Sequence, residues 1–156
     1  MPVSSFPPSI QELLDEFVEI EDWSERYDYL IDLGKQLPTL AEELQTADHV
    51  VKGCMSTVWL VTQFQGSGLK SIIEIQADSD SLIVKGLIVV LLSLFQSRTS
   101  AEILQQNEDA VFGQLGLNQH LSPQRRNGLF AMVKRLKQLA LEHACKNGNA
   151  GPAKLP

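Results

Sequence analysis

Val51-Lys52-Gly53-Cys54-Met55-Ser56 is the stretch of this chain whose residue types and order can do chemistry. Gly53 permits a tight bend beside Cys54, and a cysteine on such a bend can project toward a partner in a way that a helix-buried one cannot. The thiolate is the reactive form. A free thiol of pKa about 8.5 is only a few per cent ionised at neutral pH. A nucleophilic Cys54 therefore needs a nearby cation, backbone N–H groups or a partner's active site, and Lys52 is the nearest cation in sequence. The same residues also allow a plainer reading, a small buried hydrophobe in a turn.

The other groups are scattered. Cys145 lies near the end of the last helical pattern and reads as incidental. His49, His120 and His143 show no C-x-x-C or H-E-x-x-H spacing, so a zinc site from Cys54, His49 and His120 has no motif behind it. A Cys–His hydrolase dyad is equally unsupported by spacing. His120, just before Leu121-Ser122-Pro123, reads as satisfying hydrogen bonds at a helix start. Arg125 falls in the first turn of that helix, where a cation opposes the dipole. It is expected to pair with Asp78 or Asp80, to meet an anion, or to stay solvated.

Composition narrows the classes. The 156 residues are 44% hydrophobic with net charge −6, which suits one globular domain and argues against non-specific binding of nucleic acid or anionic membrane. Two cysteines are too few for a disulfide scaffold or an all-cysteine metal site. Met1 to Ser9 lacks the basic and apolar regions of a leader, and Leu82 to Phe95, interrupted by Lys85, is too short to span a bilayer. A soluble cytoplasmic or stromal protein with reduced thiols is the expectation.

The elements that must position Cys54 follow from periodicity. Ile10, Leu13, Leu14, Phe17 and Val18 form one helical face behind a Ser9/Glu12 capping box. A second helix starts near Asp22, with Trp23, Tyr27, Leu30, Ile31 and Gly34 on its face, and stops at Leu37-Pro38. Two alternating runs, Val58 to Phe64 and Ile72 to Ala77, joined through Gln65-Gly66-Ser67-Gly68, predict an antiparallel hairpin. A short third strand is expected around His49 to Lys52. Asp78-Ser79-Asp80-Ser81 offers caps for a central helix, Leu82 to Phe95, apolar nearly all round. Gly86 within it costs about 1 kcal/mol relative to alanine and implies close packing or space behind the Cys54 loop. Short helices follow at Ala101 to Gln106 and Asp109 to Leu115. The last helix opens on Ser122-Pro123 and buries Leu129, Met132, Val133, Leu136, Leu139 and Ala140. The prediction is an α+β domain over residues 1–146, with a small antiparallel sheet of about three strands against several helices, and a flexible tail over 147–156.

Three stretches together resemble one family. Val51-x-Gly53-Cys54-x-Ser56-x-Val58-Trp59 is followed by Asp78-Ser79-Asp80-x-x-Ile83-Val84-Lys85-Gly86-Leu87, then by Gln119-His120-Leu121-Ser122-Pro123-x-Arg125-x-x-Gly128-Leu129. With Trp23, Tyr27 and Leu33-Gly34-x-x-Leu37-Pro38, this order and spacing resembles the SufE family from about Ile10 to the last helix. The resemblance implies a SufE/NifU-like α+β sandwich. It also implies a sulfur acceptor: Cys54 takes sulfane sulfur from a pyridoxal-phosphate (SufS-like) cysteine desulfurase, speeds its turnover, and passes sulfur to a SufBCD-like iron–sulfur scaffold. The desulfurase holds the cofactor, so none, and no metal, is expected on this chain. Gly53, Ser56, Asp78, Asp80, Lys85, His120 and Arg125 carry over as family-motif positions around the acceptor loop. That loop is expected to turn its sulfur inward at rest and to swing out on docking. Met55 stands where the family often has a polar residue, and Cys145 matches no motif. The competing readings are a zinc- or cluster-binding scaffold of the same fold, and a thiol hydrolase or peroxidase using Cys54.

Overall fold

The computed structural model describes residues 6–147. Apart from Asn147, the last helical residue, the tail expected over 147–156 lies outside the described residues. The chain opens with α1 (Ile10–Glu19) and α2 (Trp23–Lys35). Ser9 caps α1 as expected: its side chain accepts from Glu12 N–H while the Glu12 carboxylate accepts from Ser9 N–H. Leu13 and Phe17 are buried, whereas Val18, expected on the same face, is 74% exposed. The apolar stripe of α1 is thus one residue narrower than its pattern.

β1 (Val58–Gln65) and β2 (Ile72–Ser79) pair antiparallel, from Val58 opposite Ser79 to Gln65 opposite Ile72. Ile73, Ile75 and Ala77 point into the core, while Ile72 and Gln76 face outward. The connection is longer than a tight turn: Gly66, at φ +90°, leads into a 3₁₀ turn over Gly68–Lys70. Among the described residues the sheet has two strands, not three. The segment expected as a third strand, His49 to Lys52, instead follows directly on a 3₁₀ turn, Ala47–His49, that takes in His49, and makes one isolated bridge, Val50 to Trp59. Local bonds win there: His49 and Val50 donate N–H to Thr46 and Ala47 carbonyls, and Gly53 at φ +95° turns the chain away. The other edge of the hairpin is also occupied. The Gln96 carboxamide accepts from Ile75 N–H and donates to Ile75 C=O, standing in for a neighbouring strand.

α3 (Leu82–Phe95) is buried along its length except for Leu82 and the partly exposed Lys85. It packs against α1, α2, β2 and the last helix, so it is the spine of the core. Gly86 serves close packing: a Cβ there would sit 2.1 Å from the Leu30 carbonyl oxygen of α2. Gly34 makes the reciprocal approach, its Cβ position lying 2.7 Å from Gly86 N. α4 (Ser100–Gln105), α5 (Glu108–Leu115) and α6 (Leu117–His120) lead to the long α7 (Pro123–Asn147). No helix among the described residues is long and apolar enough to cross a membrane. The fold is a small antiparallel hairpin covered by helices, an α+β arrangement as predicted.

Candidate functional site

The Cys54 loop hangs between two clamps. On its N-terminal side, buried Val51 donates its N–H to Val58 C=O at 2.8 Å. On its C-terminal side, Thr57 is held by three bonds. Its N–H donates to Asp80 Oδ1 at 3.2 Å, and its carbonyl accepts from Ser79 Oγ at 2.8 Å and Asp80 N–H at 3.3 Å. Between these points Gly53 adopts φ +95°, a conformation costly for any residue with a Cβ. The chain there also runs against α7, where a Gly53 Cβ would lie 3.3 Å from the Ala131 Cβ.

Cys54 is half-buried, its Sγ 3.6 Å from the Gly128 carbonyl oxygen on α7, to which the thiol donates. Gly128 makes room for it: a Cβ there would already touch Sγ at 3.5 Å, and any larger side chain would occupy the thiol's place. Burial pushes the Cys54 thiol pKa up. The resting sulfur is therefore a protonated thiol facing a carbonyl. Met55, next to it, is 81% exposed.

The sulfur borders a cavity of about 300 Å³ whose polar wall comes from Ser56, Ser81, Ser122, Gln124 and Arg125, with Val84, Leu129 and Met132 among its apolar residues. Two helices begin at this wall. The Ser81 hydroxyl accepts from Val84 N–H at the start of α3, and the Ser122 hydroxyl accepts from Arg125 N–H at the start of α7. Both helix N-termini, with their partial positive charge, thus open toward the cavity, and Arg125 adds a full one. Among the described residues no Asp, Glu or His lines it. Such a cavity offers positive charge to an anion, and its lining supplies no general base.

The remaining motif residues divide between support and distance. Asp78 is buried and does not line the cavity. Its Oδ2 accepts from Leu40 N–H at 3.0 Å, its Oδ1 accepts from Ser79 N–H at 2.8 Å, and Lys85 Nζ lies 3.6 Å away. The pair ties the first turn of α3 and the end of β2 to the segment after α2. Asp80 acts on the loop through Thr57. Arg125 makes neither of the expected ion pairs, because Lys85 takes Asp78 and Thr57 takes Asp80; it is exposed at the cavity rim. His120 is not in the acceptor environment: its ring stacks on Trp23, centroids 4.2 Å apart, and its carbonyl accepts the Tyr27 hydroxyl. That contact, rather than a role at a helix start, is what places it. His49 sits by the Leu44 carbonyl and His143 stacks on Phe64, so the histidines do not converge. Among the described residues no three His, Cys, Asp or Glu side chains form a metal-ligand group. Cys145 is exposed on α7. Gly128, Ser81 and Ser122, read from sequence only as a motif position and as helix caps, also belong to the surroundings of Cys54. A glycine inside a helix costs about 1 kcal/mol, which was a signal that Gly128 has a packing role.

Comparison with known proteins extends over most of the chain. Residues 11–140 match the Fe-S metabolism associated domain of SufE. An uncharacterized SufE-like protein of Rhizobium etli is 42% identical over 135 residues, covering 86% of this chain and 91% of that one. One from Rhizobium meliloti is 39% identical over 132 residues, covering 85% and 94%. A hypothetical protein of Thermus thermophilus, solved in solution, shares the fold with TM-score 0.68 at 17% identity, over 92% of this chain and all of that one.

Proposed function

This chain belongs to the SufE family, which is associated with Fe–S metabolism, and on that footing we propose that it is a sulfur acceptor working through Cys54. The donor is a pyridoxal-phosphate-dependent cysteine desulfurase carrying a cysteine persulfide, and the recipient is an iron–sulfur assembly scaffold. In the step, the Cys54 thiolate attacks the outer sulfur of the donor persulfide. A new S–S bond forms at Cys54, the donor's S–S bond breaks, and its electron pair leaves on the donor cysteine as thiolate. Cys54 then carries –S–SH, and no external oxidant or reductant is needed. Taking sulfur off the donor frees its cysteine for the next cycle, which is how the acceptor speeds it. The reaction belongs in a reducing compartment such as the cytoplasm.

The observation that carries this reading is the setting of Cys54: a half-buried thiol on a doubly clamped loop, beside an electropositive cavity without a base. Each part has a use. The inward thiol, with its raised pKa, is protected from oxidation at rest. Rotating the sulfur from the Gly128 carbonyl toward the helix N-termini and Arg125 exchanges a group that repels an anion for groups that attract one. Among the described residues the cavity has no base for a hydrolase or peroxidase, and no ligands converge for a metal scaffold. The test is desulfurase turnover with free cysteine as substrate, read as sulfide release. The chain is expected to raise it, Cys54→Ser to abolish the increase, and Cys145→Ser to preserve it. A Cys54→Ser chain that stimulates like the parent overturns the proposal.

A further inference from the structure

A second concavity lies on the other flank of the Cys54 loop, an open groove of about 690 Å³ walled by the loop itself and by the middle of α7. Its charged residues are Lys52, Lys134 and Arg135, against one carboxylate, Asp48. In a chain of net charge −6 this concentration of cations is against the average. Two other cations of α7 are absorbed by the fold: Arg126 donates to the Asn118 carbonyl, and Lys137 pairs with Glu108 at 2.8 Å and donates to the Gln106 carbonyl. Among the described residues Lys52 and Lys134 have no ion pair, and the only side-chain bond of Arg135 is a 3.4 Å contact to Gln138 on its own helix. Cations gathered on one groove without a carboxylate partner among the described residues are explained by something that binds from outside.

We propose that this groove is the electrostatic docking site for an acidic, solvent-exposed segment of the sulfur donor, placed beside the donor's persulfide. The inference rests on the sulfur-acceptor reading and adds the chemistry of the surface that the donor presents. A donor that reaches Cys54 must cover the loop, and it then meets Lys52, Lys134 and Arg135 on one flank and Arg125 on the other. Exposed Met55 supplies an apolar contact between them. The carboxylates of this chain are concentrated elsewhere: nine of the 19 lie between Glu12 and Asp32, and none of those lines the groove or the cavity. An acidic partner surface is thus drawn to the Cys54 side and repelled by α1 and α2. Nucleic acid is the poorer occupant, since the groove has no aromatic side chain to stack a base and the whole chain is acidic.

The test measures the rate of sulfur transfer to Cys54 at limiting acceptor concentration, from low to high salt. It compares the parent, the double variant Lys134→Glu/Arg135→Glu, and Lys70→Glu on the remote hairpin connection. The parent is expected to slow as salt rises. The double variant should be about tenfold slower at low salt with a flatter salt dependence, and Lys70→Glu should behave as the parent. Reaction of Cys54 with a small neutral alkylating reagent should be the same in all three, which separates docking from damage to the loop. A double variant matching the parent in rate and salt slope overturns the docking site while leaving the acceptor function standing. A parent that takes up no sulfur overturns both. Retention of a single-stranded oligonucleotide by the parent but not the double variant reassigns the groove and overturns the proposal.

Discussion

At Cys54 burial favours the protonated thiol, while the cavity beside it is lined by two helix starts and Arg125; on the proposed function these two settings serve rest and transfer. Burial pushes its pKa up, so alkylation of the free chain should titrate with a midpoint above the ordinary value of about 8.5. A midpoint at or below that value in a pH series of iodoacetamide rates would contradict the shielded resting state. The same preference has a thermodynamic sign. The folded chain favours the neutral thiol, so the Cys54 contribution to stability is intact below the unfolded pKa and is lost as pH rises through the folded one. How far the site could be read in advance differs by residue. Cys54 stood out because cysteine is scarce and Gly53 marks a bend, and Arg125 because it sits at the wrong end of a helix for its charge. His120 and Asp78 were misplaced or under-read because their partners, Trp23 and Leu40, are distant in sequence. No local pattern reports such a pairing.

The loop is only as steady as the elements that grip it. Ser79 and Asp80, at the junction of β2 and α3, hold Thr57, and the bridge from Val50 to Trp59 holds the other side. Asp80 is exposed, so Asp80→Ala should cost only about 1 kcal/mol in overall stability. If that energy holds the loop closed, Cys54 alkylation at fixed pH should quicken about fivefold, since 1.4 kcal/mol corresponds to tenfold. Unchanged alkylation in a variant of nearly parental stability in urea would show that the clamp does not gate the thiol. Helix periods, caps and the alternating hairpin were legible because each is a local physical signal: Ser9 with Glu12, and apolar residues two apart in β1 and β2. The third strand was not, because the choice between a 3₁₀ turn and a ladder over Ala47–His49 turns on a few competing hydrogen bonds. Gly86 was legible as a close approach, but the Leu30 carbonyl it meets was not.

Over the whole molecule, charge is sorted in a way that the net value of −6 conceals. Carboxylates crowd α1 and α2, where burial together with Glu16 and Glu12 pushes the Tyr29 pKa up to about 12. Cations without an ion pair among the described residues flank Cys54. A carrier that must find one partner, receive one atom and leave gains more from oriented encounter than from a large apolar interface. The core behind α3 holds in place the elements that grip the loop and wall the cavity and the groove. The central claim is that Cys54 is the atom-accepting residue, and intact-mass and peptide mass spectrometry after incubation with a cysteine desulfurase and free cysteine tests it most directly. The predicted result is a gain of one sulfur atom, reversed by a reducing thiol, on the peptide containing Cys54 and absent from Cys54→Ser. Sulfur on the Cys145 peptide instead, or uptake by Cys54→Ser equal to the parent, would contradict it.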